Sequence, residues 1–227
     1  MSVASGNLPA EEVRAMFDRI APVYDAMNRA MTAGLDRRWR RATAEAVVRP
    51  GDDVLDACCG TGDLAVAGAR AGGRVTGLDF SERMLERARR KAPELEWVSG
   101  DLLALPFSEA SFDAATVGFG VRNVDDLPLA LAELRRVLRQ GGRLGVLEIT
   151  RPHGLLAPFY RVWFDGVVPL LGKLLPDGAA YTYLPASVRR FHGPEDLAAV
   201  IARAGFADIR YRTYAGGIVA LHTAVAA

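Results

Sequence analysis

Short β-rich runs alternate with amphipathic stretches through the middle of the chain, and this alternation restricts the fold more than any other feature. Each run is bounded by glycine, proline or acidic residues. The five runs cover residues 53–57, 74–79, 95–99, 112–117 and 143–148. Strands separated by helices form a mainly parallel sheet with helices on both faces, so the pattern predicts an α/β fold. The 227 residues, half of them hydrophobic, suffice for one such domain.

Two of the intervening stretches carry clear helical signals. Residues 81–91 begin at Ser81, a residue type that commonly caps a helix. Residues 125–140 place leucines on one face and stop before two glycines. These leucines are Leu127, Leu131, Leu134 and Leu138. Both helices need the sheet to bury their apolar faces.

The C-terminal part predicts one more helix and a hairpin. A helical stretch over 194–204 is followed by two β-rich runs, 207–213 and 218–225, with Gly216 and Gly217 between them. Strands joined by so short a connection are expected to pair antiparallel. The predicted sheet therefore has seven strands, five parallel ones and a C-terminal antiparallel hairpin.

Two segments stand outside the alternating pattern, namely residues 1–48 and residues 151–191. Segments outside a regular scaffold are common places for specificity. We expect the first to form an N-terminal helical cap over a substrate and the second to be an apolar insertion that acts as a lid.

A glycine-containing loop follows the first predicted strand. In an open parallel sheet, ligands bind beyond the carboxyl ends of the strands, where Gly60-Thr61-Gly62 would lie. Glycines allow a sharp turn and a close approach to a ligand, and the amides at a helix start can bind a carboxylate or phosphate. The loop alone equally fits an ordinary turn between a strand and a helix.

Acidic residues after the next two strands narrow the ligand. Asp79, followed by Phe80, can accept hydrogen bonds from both hydroxyls of a ribose. Asp101 can accept from an adenine amino group, while the Leu102 amide donates to a ring nitrogen. Together these residues outline an adenosine.

Two further acids flank the glycine loop. Asp56 and Asp63 would repel a pyrophosphate but suit the ammonium group of S-adenosylmethionine. A nicotinamide site would want a third glycine where Ala65 stands, and the loop lacks the lysine of a phosphate-binding loop. The sequence therefore predicts a site for S-adenosylmethionine. Its expected residues are Asp56, Gly60, Thr61, Gly62, Asp63, Asp79, Phe80, Asp101 and Leu102.

Several strings extend the inference beyond the loop. They include Phe17-Asp18-Arg19-Ile20-Ala21, Gly118-Phe119-Gly120-Val121-Arg122-Asn123 and Tyr183-Leu184-Pro185. With these strings the sequence resembles the class I methyltransferases, in particular the menaquinone and ubiquinone biosynthesis C-methyltransferases. The resemblance implies the Rossmann-like class I fold and methylation of a polyprenylated quinol on a ring carbon. Demethylmenaquinol is the leading substrate. A benzoquinol on the ubiquinone path and a non-catalytic S-adenosylmethionine-binding assembly protein are the alternatives.

Carbon methylation requires an electron-rich ring carbon, which a quinol supplies when a hydroxyl loses its proton. A phenol-like hydroxyl has a pKa of about 10, and a nearby cation would lower it. We hypothesise that Arg122 and Asn123 hold the quinol oxygen, while Tyr24, Asp25 or Asp63 accepts or relays the proton. Without the resemblance, a salt bridge from Arg122 to a nearby acid such as Asp125 or Asp126 would be the simpler interpretation.

The segment over 151–191 is apolar at helical spacings, but Arg161, Asp165 and Lys173 interrupt it. It is therefore not expected to span a membrane. Two interpretations stay open: a helix packed on the sheet, or a lid that lines a channel for the prenyl tail and touches the bilayer surface.

Charge and cysteine content bear on location and partners. The 28 basic and 27 acidic residues nearly balance, so no overall field favours nucleic acid. The adjacent Cys58 and Cys59 suggest reduced thiols, and the N-terminus does not resemble a secretory signal.

His153, His192 and His222 lack metal-ligand spacing, and no metal is expected. We expect a cytoplasmic protein with transient peripheral contact at the inner membrane face, and leave a homodimer or biosynthetic complex open.

Overall fold

In the computed structural model, which describes residues 9–150 and 178–227, seven strands form one sheet in the order β3-β2-β1-β4-β5-β7-β6. Strands β1 to β5 are parallel, and β7 is antiparallel to both β5 and β6. The strands are β1 (Asp53–Ala57), β2 (Arg74–Asp79), β3 (Glu96–Ser99), β4 (Phe112–Gly118), β5 (Leu138–Ile149), β6 (Phe206–Tyr214) and β7 (Val219–Ala226). The predicted α/β fold and C-terminal hairpin are confirmed.

Helices cover both faces of the sheet. They are α1 (Ala10–Ile20), α2 (Tyr24–Thr32), α3 (Leu35–Val47), α4 (Asp63–Arg70), α5 (Glu82–Lys91), α6 (Leu127–Val137), α7 (Gly178–Arg190) and α8 (Pro194–Arg203). In β1, Val54 packs with the helices on one face, where Val47 and Ala65 lie. The next residue, Leu55, faces the opposite side and joins the largest core cluster, to which α6 and α8 contribute. This alternation follows from the two-residue repeat of a strand.

The predicted end of α6 and the predicted start of β5 are both wrong. The helix expected over 125–140 ends at Val137, and Leu138 is already extended, with φ −79° and ψ 137°, and pairs with Phe112 of β4. The leucine repeat continues past the helix because Leu138 enters the same buried core as Leu134. The turn at Gly141, with φ +75°, lies within the long strand β5.

The N-terminal segment forms α1, α2 and α3, joined by a 3-10 turn over Ala21–Val23 and a left-handed turn at Ala33 and Gly34. Helix α3 packs against the sheet, whereas α1 contacts α5 and α7. Buried Val13, Met16 and Ile20 of these helices cluster with Tyr183 of α7. Helices α1 and α2 therefore lie beside the carboxyl end of β2, from which Phe80 joins this cluster.

The apolar insertion predicted over 151–191 falls outside the described residues as far as position 177, and its last part contributes α7. Among the helices that the structure describes, none is both long enough and apolar enough to span a bilayer.

Candidate active site

The glycine loop between β1 and α4 requires an unusual backbone. Cys58, Gly60 and Gly62 all have positive φ, at 53°, 55° and 84°. A Cβ atom on Gly62 would lie 2.4 Å from a ring atom of Trp97, so only glycine fits there without displacement. Cys58 carries its side chain in a region that is strained for a residue with a Cβ atom.

Asp79 at the end of β2 holds this loop in place. Its carboxylate accepts hydrogen bonds from the Gly60 amide at 2.8 Å and from the Ser81 amide at 2.9 Å. Burial raises the pKa of Asp79 to about 6, although these amide donors oppose the shift. The buried carboxyl group thus shapes the loop as well as the cavity next to it.

The first cavity, which we call the strand-end cavity, lies over the carboxyl ends of β1, β2 and β4. Five of the predicted cofactor residues line it, namely Gly60, Asp79, Phe80, Asp101 and Leu102. The structure therefore places two carboxyl groups beside apolar walls, as a flat adenine joined to a ribose requires. Cys58, which the sequence analysis did not assign to the site, also lines this cavity.

Asp56 is not among the residues that line the strand-end cavity. It is buried beneath the loop, where one oxygen accepts from the Thr116 hydroxyl at 2.8 Å. Its other oxygen has no hydrogen-bond partner among the described residues. Burial raises the pKa of Asp56 to about 7, while Thr116 and the positive charge of Arg40 oppose this shift.

A cluster centred on Lys91, which we call the Lys91 cluster, contains Thr61, Asp25 and Asp63. The Lys91 ammonium lies 2.6 Å from a carboxylate oxygen of Asp63 and 2.9 Å from one of Asp25. The Thr61 hydroxyl donates to Asp25 at 2.5 Å. Burial alone would raise the pKa of Asp25, but the hydrogen bonds from Thr61 and Lys91 hold it below its usual value.

The Lys91 cluster gives three predicted residues different surroundings from those expected. Thr61, Asp25 and Asp63 line neither cavity, because they face one another across the junction of α2, the glycine loop and α5. Lys91 was not recognised from the sequence. It is one of three basic residues in the last turn of α5, an ordinary arrangement at a helix C-terminus, so nothing marked it as special.

A second and more apolar cavity of about 370 Å³, which we call the apolar cavity, lies among α1, α2, α3 and the start of β7. Phe17, Tyr24 and Phe119 line both cavities and stand between them. Phe119 has a positive φ of 62°, an uncommon conformation for an aromatic residue and one found at functional sites. The charged residues that line the apolar cavity within the described chain are Asp36, Arg40 and Arg122.

Arg122 is buried and pairs with Glu148, not with Asp125 or Asp126. One guanidinium nitrogen lies 2.6 Å from a Glu148 oxygen and 2.7 Å from the Phe119 carbonyl oxygen. Burial alone would lower the pKa of Arg122. The negative charge of Glu148 has the opposite and larger effect, so the pKa of Arg122 lies above its ordinary value. The buried Nε has no hydrogen-bond partner among the described residues, so Arg122 keeps a donor unused.

Glu148 carries a sequence signal, although its role was missed. It is an acidic residue near the end of the apolar run Leu144-Gly145-Val146-Leu147. A buried acid in such a strand needs a charged partner or several hydrogen bonds.

Asn123 faces the strand-end cavity, as expected for a residue beside the reacting groups. Its side-chain oxygen accepts from the Tyr183 hydroxyl at 3.2 Å. Tyr183 lines the apolar cavity and thereby extends this polar contact from one cavity to the other.

The two cavities adjoin, so a ligand in one would lie beside a ligand in the other. The strand-end cavity offers polar groups for an adenosine, and the apolar cavity has the size typical of a small-molecule pocket. The arrangement can therefore bring a group carried by a nucleoside next to an apolar substrate.

Solved structures of low sequence identity share this fold. An S-adenosylmethionine-dependent methyltransferase from Thermotoga maritima is similar with a TM-score of 0.65 and 21% identity, covering 94% of this chain and 99% of that one. The cyclase SpnF is similar with a TM-score of 0.71 and 18% identity, covering 97% of this chain and 98% of that one. The second of these is named for a different reaction, so the fold alone does not decide the chemistry.

Relatives of higher identity cover nearly the whole chain. The demethylmenaquinone methyltransferase of Renibacterium salmoninarum is 42% identical over 99% of this chain and 96% of its own length. That of Thermus thermophilus is 46% identical over 91% of this chain and 98% of its own. The ubiquinone/menaquinone biosynthesis C-methyltransferase of Desulfotalea psychrophila is 42% identical over 94% of this chain and 89% of its own length. The sequence profile of the ubiE/COQ5 methyltransferase family matches residues 6–226. This chain, with its paired cavities, therefore belongs to the ubiE/COQ5 methyltransferase family.

Proposed function

We propose that this protein transfers a methyl group from S-adenosylmethionine to a ring carbon of demethylmenaquinol. The wall shared by the two cavities carries the proposal, because it brings a nucleoside site and an apolar site into contact at Phe17, Tyr24 and Phe119. The names of the relatives, several of which are demethylmenaquinone methyltransferases, support this substrate.

The residues of the strand-end cavity fit the cofactor. Asp79 would accept from the ribose hydroxyls, and Asp101 with the Leu102 amide would bind the adenine edge. When bound, S-adenosylmethionine supplies an electrophilic methyl group on a sulfonium. Asp56 lies beneath the loop and would favour a positively charged ligand in its ionised form, which dominates above its raised pKa of about 7.

Arg122 prepares the ring for the transfer. A quinol hydroxyl gives up its proton, and the positive charge of Arg122, which lines the apolar cavity, stabilises the resulting phenolate. With the methyl donor held in the strand-end cavity, the ring carbon next to that oxygen would form the new bond to the methyl group, and the electron pair of the broken methyl–sulfur bond would stay on sulfur. The carbon finally loses its own proton, and the aromatic ring is restored.

Among the expected proton acceptors, Tyr24 has the most suitable position. It lines both cavities, whereas Asp25 and Asp63 are occupied by Lys91 and line neither. Tyr24 would relay the proton to water, because a neutral phenol can accept one hydrogen bond while it donates another.

The apolar cavity suits the remainder of the substrate. Helices α1 to α3 supply much of its lining, so residues 1–48 would act as the substrate cap. Residues 151–191 would complete the enclosure of the prenyl tail as a lid. A substrate of this kind is dissolved in the bilayer, and the protein would collect it through transient contact with the membrane surface.

Transfer of a labelled methyl group tests the proposal. Purified protein should methylate chemically reduced demethylmenaquinone under anaerobic conditions and leave the oxidised form unmodified. A reduced benzoquinol substrate run in parallel measures preference for the naphthoquinol ring. Absence of label in the lipid extract, with cofactor binding shown separately by calorimetry, would reject the proposal.

A further inference from the structure

Asp36 is a buried acid that the proposed chemistry has not used. It lies in the first turn of α3, directly after the left-handed turn at Ala33 and Gly34, and is 2% exposed. Its side chain lines the apolar cavity, in which most of the lining is hydrocarbon. A carboxylate in such surroundings is costly unless its oxygens find donors.

The neighbours of Asp36 do not supply hydrogen-bond donors to both of its carboxylate oxygens. The Thr32 hydroxyl lies 3.0 Å from one carboxylate oxygen and 2.7 Å from the Asn28 carbonyl oxygen, and its single proton can serve only one of these acceptors. The Arg40 Nε lies 3.7 Å from the other oxygen, close enough for ionic attraction but beyond a hydrogen bond. Arg40 Nε in turn has no hydrogen-bond partner among the described residues. The second oxygen of Asp36 thus has room to accept from a ligand.

The charged groups in the apolar cavity differ in what they can bind. Arg40 and Arg122 are donors only, and Asp36, when ionised, is an acceptor only. The two oxygens of a quinone can accept hydrogen bonds but have no proton to donate, whereas the two hydroxyls of a quinol can do both. A cavity that offers a buried carboxylate therefore distinguishes these two redox states of one ring.

Arg122 and Asp36 lie at different places in the lining of the apolar cavity, so they can contact different parts of one ligand. Arg122 is tied to the Phe119 carbonyl at the wall shared with the strand-end cavity. Asp36 lies one helical turn before Arg40, whose guanidinium carbon sits 5.1 Å from the centre of the Phe119 ring. Asp36 lines the apolar cavity alone and is not part of the wall shared with the strand-end cavity.

We propose that Asp36 accepts a hydrogen bond from the quinol hydroxyl opposite the one that ionises beside Arg122, and so makes the site select the reduced ring. This role rests on the proposed function. It assigns substrate discrimination to a residue outside the glycine loop and outside the Arg122-Asn123 string.

The test compares the affinities of the reduced and the oxidised ring. Calorimetry under anaerobic conditions, with S-adenosylhomocysteine present, would give the dissociation constants of short-chain demethylmenaquinol and demethylmenaquinone. In Asp36→Asn the new amide can donate to a quinone oxygen, so the preference for the reduced form should fall about tenfold to a hundredfold. Asp36→Glu, which keeps the acceptor, should retain most of the preference. An unchanged preference in Asp36→Asn would overturn the proposal.

Controls separate this role from folding and from the proposed function. Glu45→Gln removes an exposed acid from the same helix and should leave the preference unchanged. Should Asp36→Asn fail to fold or to bind the nucleoside, Asp36→Ala removes the acceptor without adding a donor and should also lower the preference; an unchanged preference there would equally overturn the proposal. Failure of the wild type to methylate the quinol would instead reject the proposed function.

Discussion

At the residue scale, the Arg122–Glu148 pair combines structural and chemical roles. Both side chains are buried, and Glu148 also accepts from the Ile149 amide at 2.8 Å. Removal of one partner from a buried pair leaves an uncompensated charge, which costs about 3–5 kcal/mol. Stability and activity must therefore be separated before Arg122 is assigned to the reaction.

We predict that Arg122→Met alone lowers both stability and turnover, whereas Arg122→Met with Glu148→Gln recovers much of the stability and none of the turnover. The glutamine keeps an acceptor for the Ile149 amide without a buried charge. Turnover should fall at least a hundredfold in both variants because the phenolate loses its stabilising donor. Urea denaturation and methyl transfer at saturating substrate measure the two effects. Recovery of turnover in the double variant would show that Arg122 acts only through stability.

The raised pKa of Asp79 leads us to expect that the affinity for S-adenosylmethionine depends on pH. Its pKa is raised to about 6 by burial, so the carboxylate form dominates above that value and the neutral form below it. The neutral form has fewer acceptor sites for the ribose hydroxyls. The affinity for S-adenosylmethionine should therefore rise with pH through about 6 and then level off, weakening up to tenfold per pH unit on the acid side. A dissociation constant that stays the same from pH 5 to 8 would contradict this prediction.

The sequence predicts some site residues and misses others for a physical reason. Asp79 and Asp101 each follow a strand, and parallel strands bring their carboxyl ends to one edge of the sheet. Lys91 and Glu148 depend on contacts between elements far apart in the chain, whereas the partners of Asp36 are local and only its burial depends on the fold. Their residue types are common, and only the packed structure shows that they are buried or paired.

At the scale of elements, the glycine loop depends on close packing as well as on backbone freedom. Gly62 and Gly51 have similar φ values, +84° and +88°, but a Cβ on Gly51 meets nothing within 4 Å. Gly51→Ala should cost about 1–2 kcal/mol from backbone strain. Gly62→Ala adds the collision with Trp97 and should cost more. Chemical denaturation checks this order, and equal losses would mean that Trp97 moves aside freely.

The Lys91 cluster joins α2 to the glycine loop and to α5. We predict that Lys91→Met weakens binding of S-adenosylmethionine severalfold, because Asp25 and Asp63 then repel each other beside the loop. Hydrogen exchange in α2 should become faster as this connection loosens. Arg90→Met changes the preceding residue, which is exposed, and serves as the control. Equal effects of the two substitutions would argue against a specific connection.

Element boundaries are predicted well where a local signal exists. Strands β1 and β2 begin and end at the predicted residues because acidic and glycine residues flank them. The end of α6 is misplaced because Leu138 continues the helical leucine repeat while the backbone has already become extended. Burial on one face cannot distinguish the last turn of a helix from the first residue of a buried strand.

At the scale of the whole molecule, the order of the strands determines where the strand-end cavity forms. The order β3-β2-β1-β4 brings the ends of these strands together at the strand-end cavity. The antiparallel β7 contributes Val219 to the apolar cavity, along with α1, α2 and α3. The alternation of strands and helices predicts the first cavity, but the second combines segments from both ends of the chain and has no comparable signal in the sequence.

The product of a single turnover shows which atom of the substrate receives the methyl group. The protein would be mixed with S-adenosylmethionine labelled with ¹³C at the methyl group and with anaerobically reduced demethylmenaquinone, and the extracted lipid would be analysed by NMR. We expect one new methyl group attached to a ring carbon, formed from the reduced substrate alone. A methyl group on oxygen, or equal labelling of the oxidised ring, would contradict it.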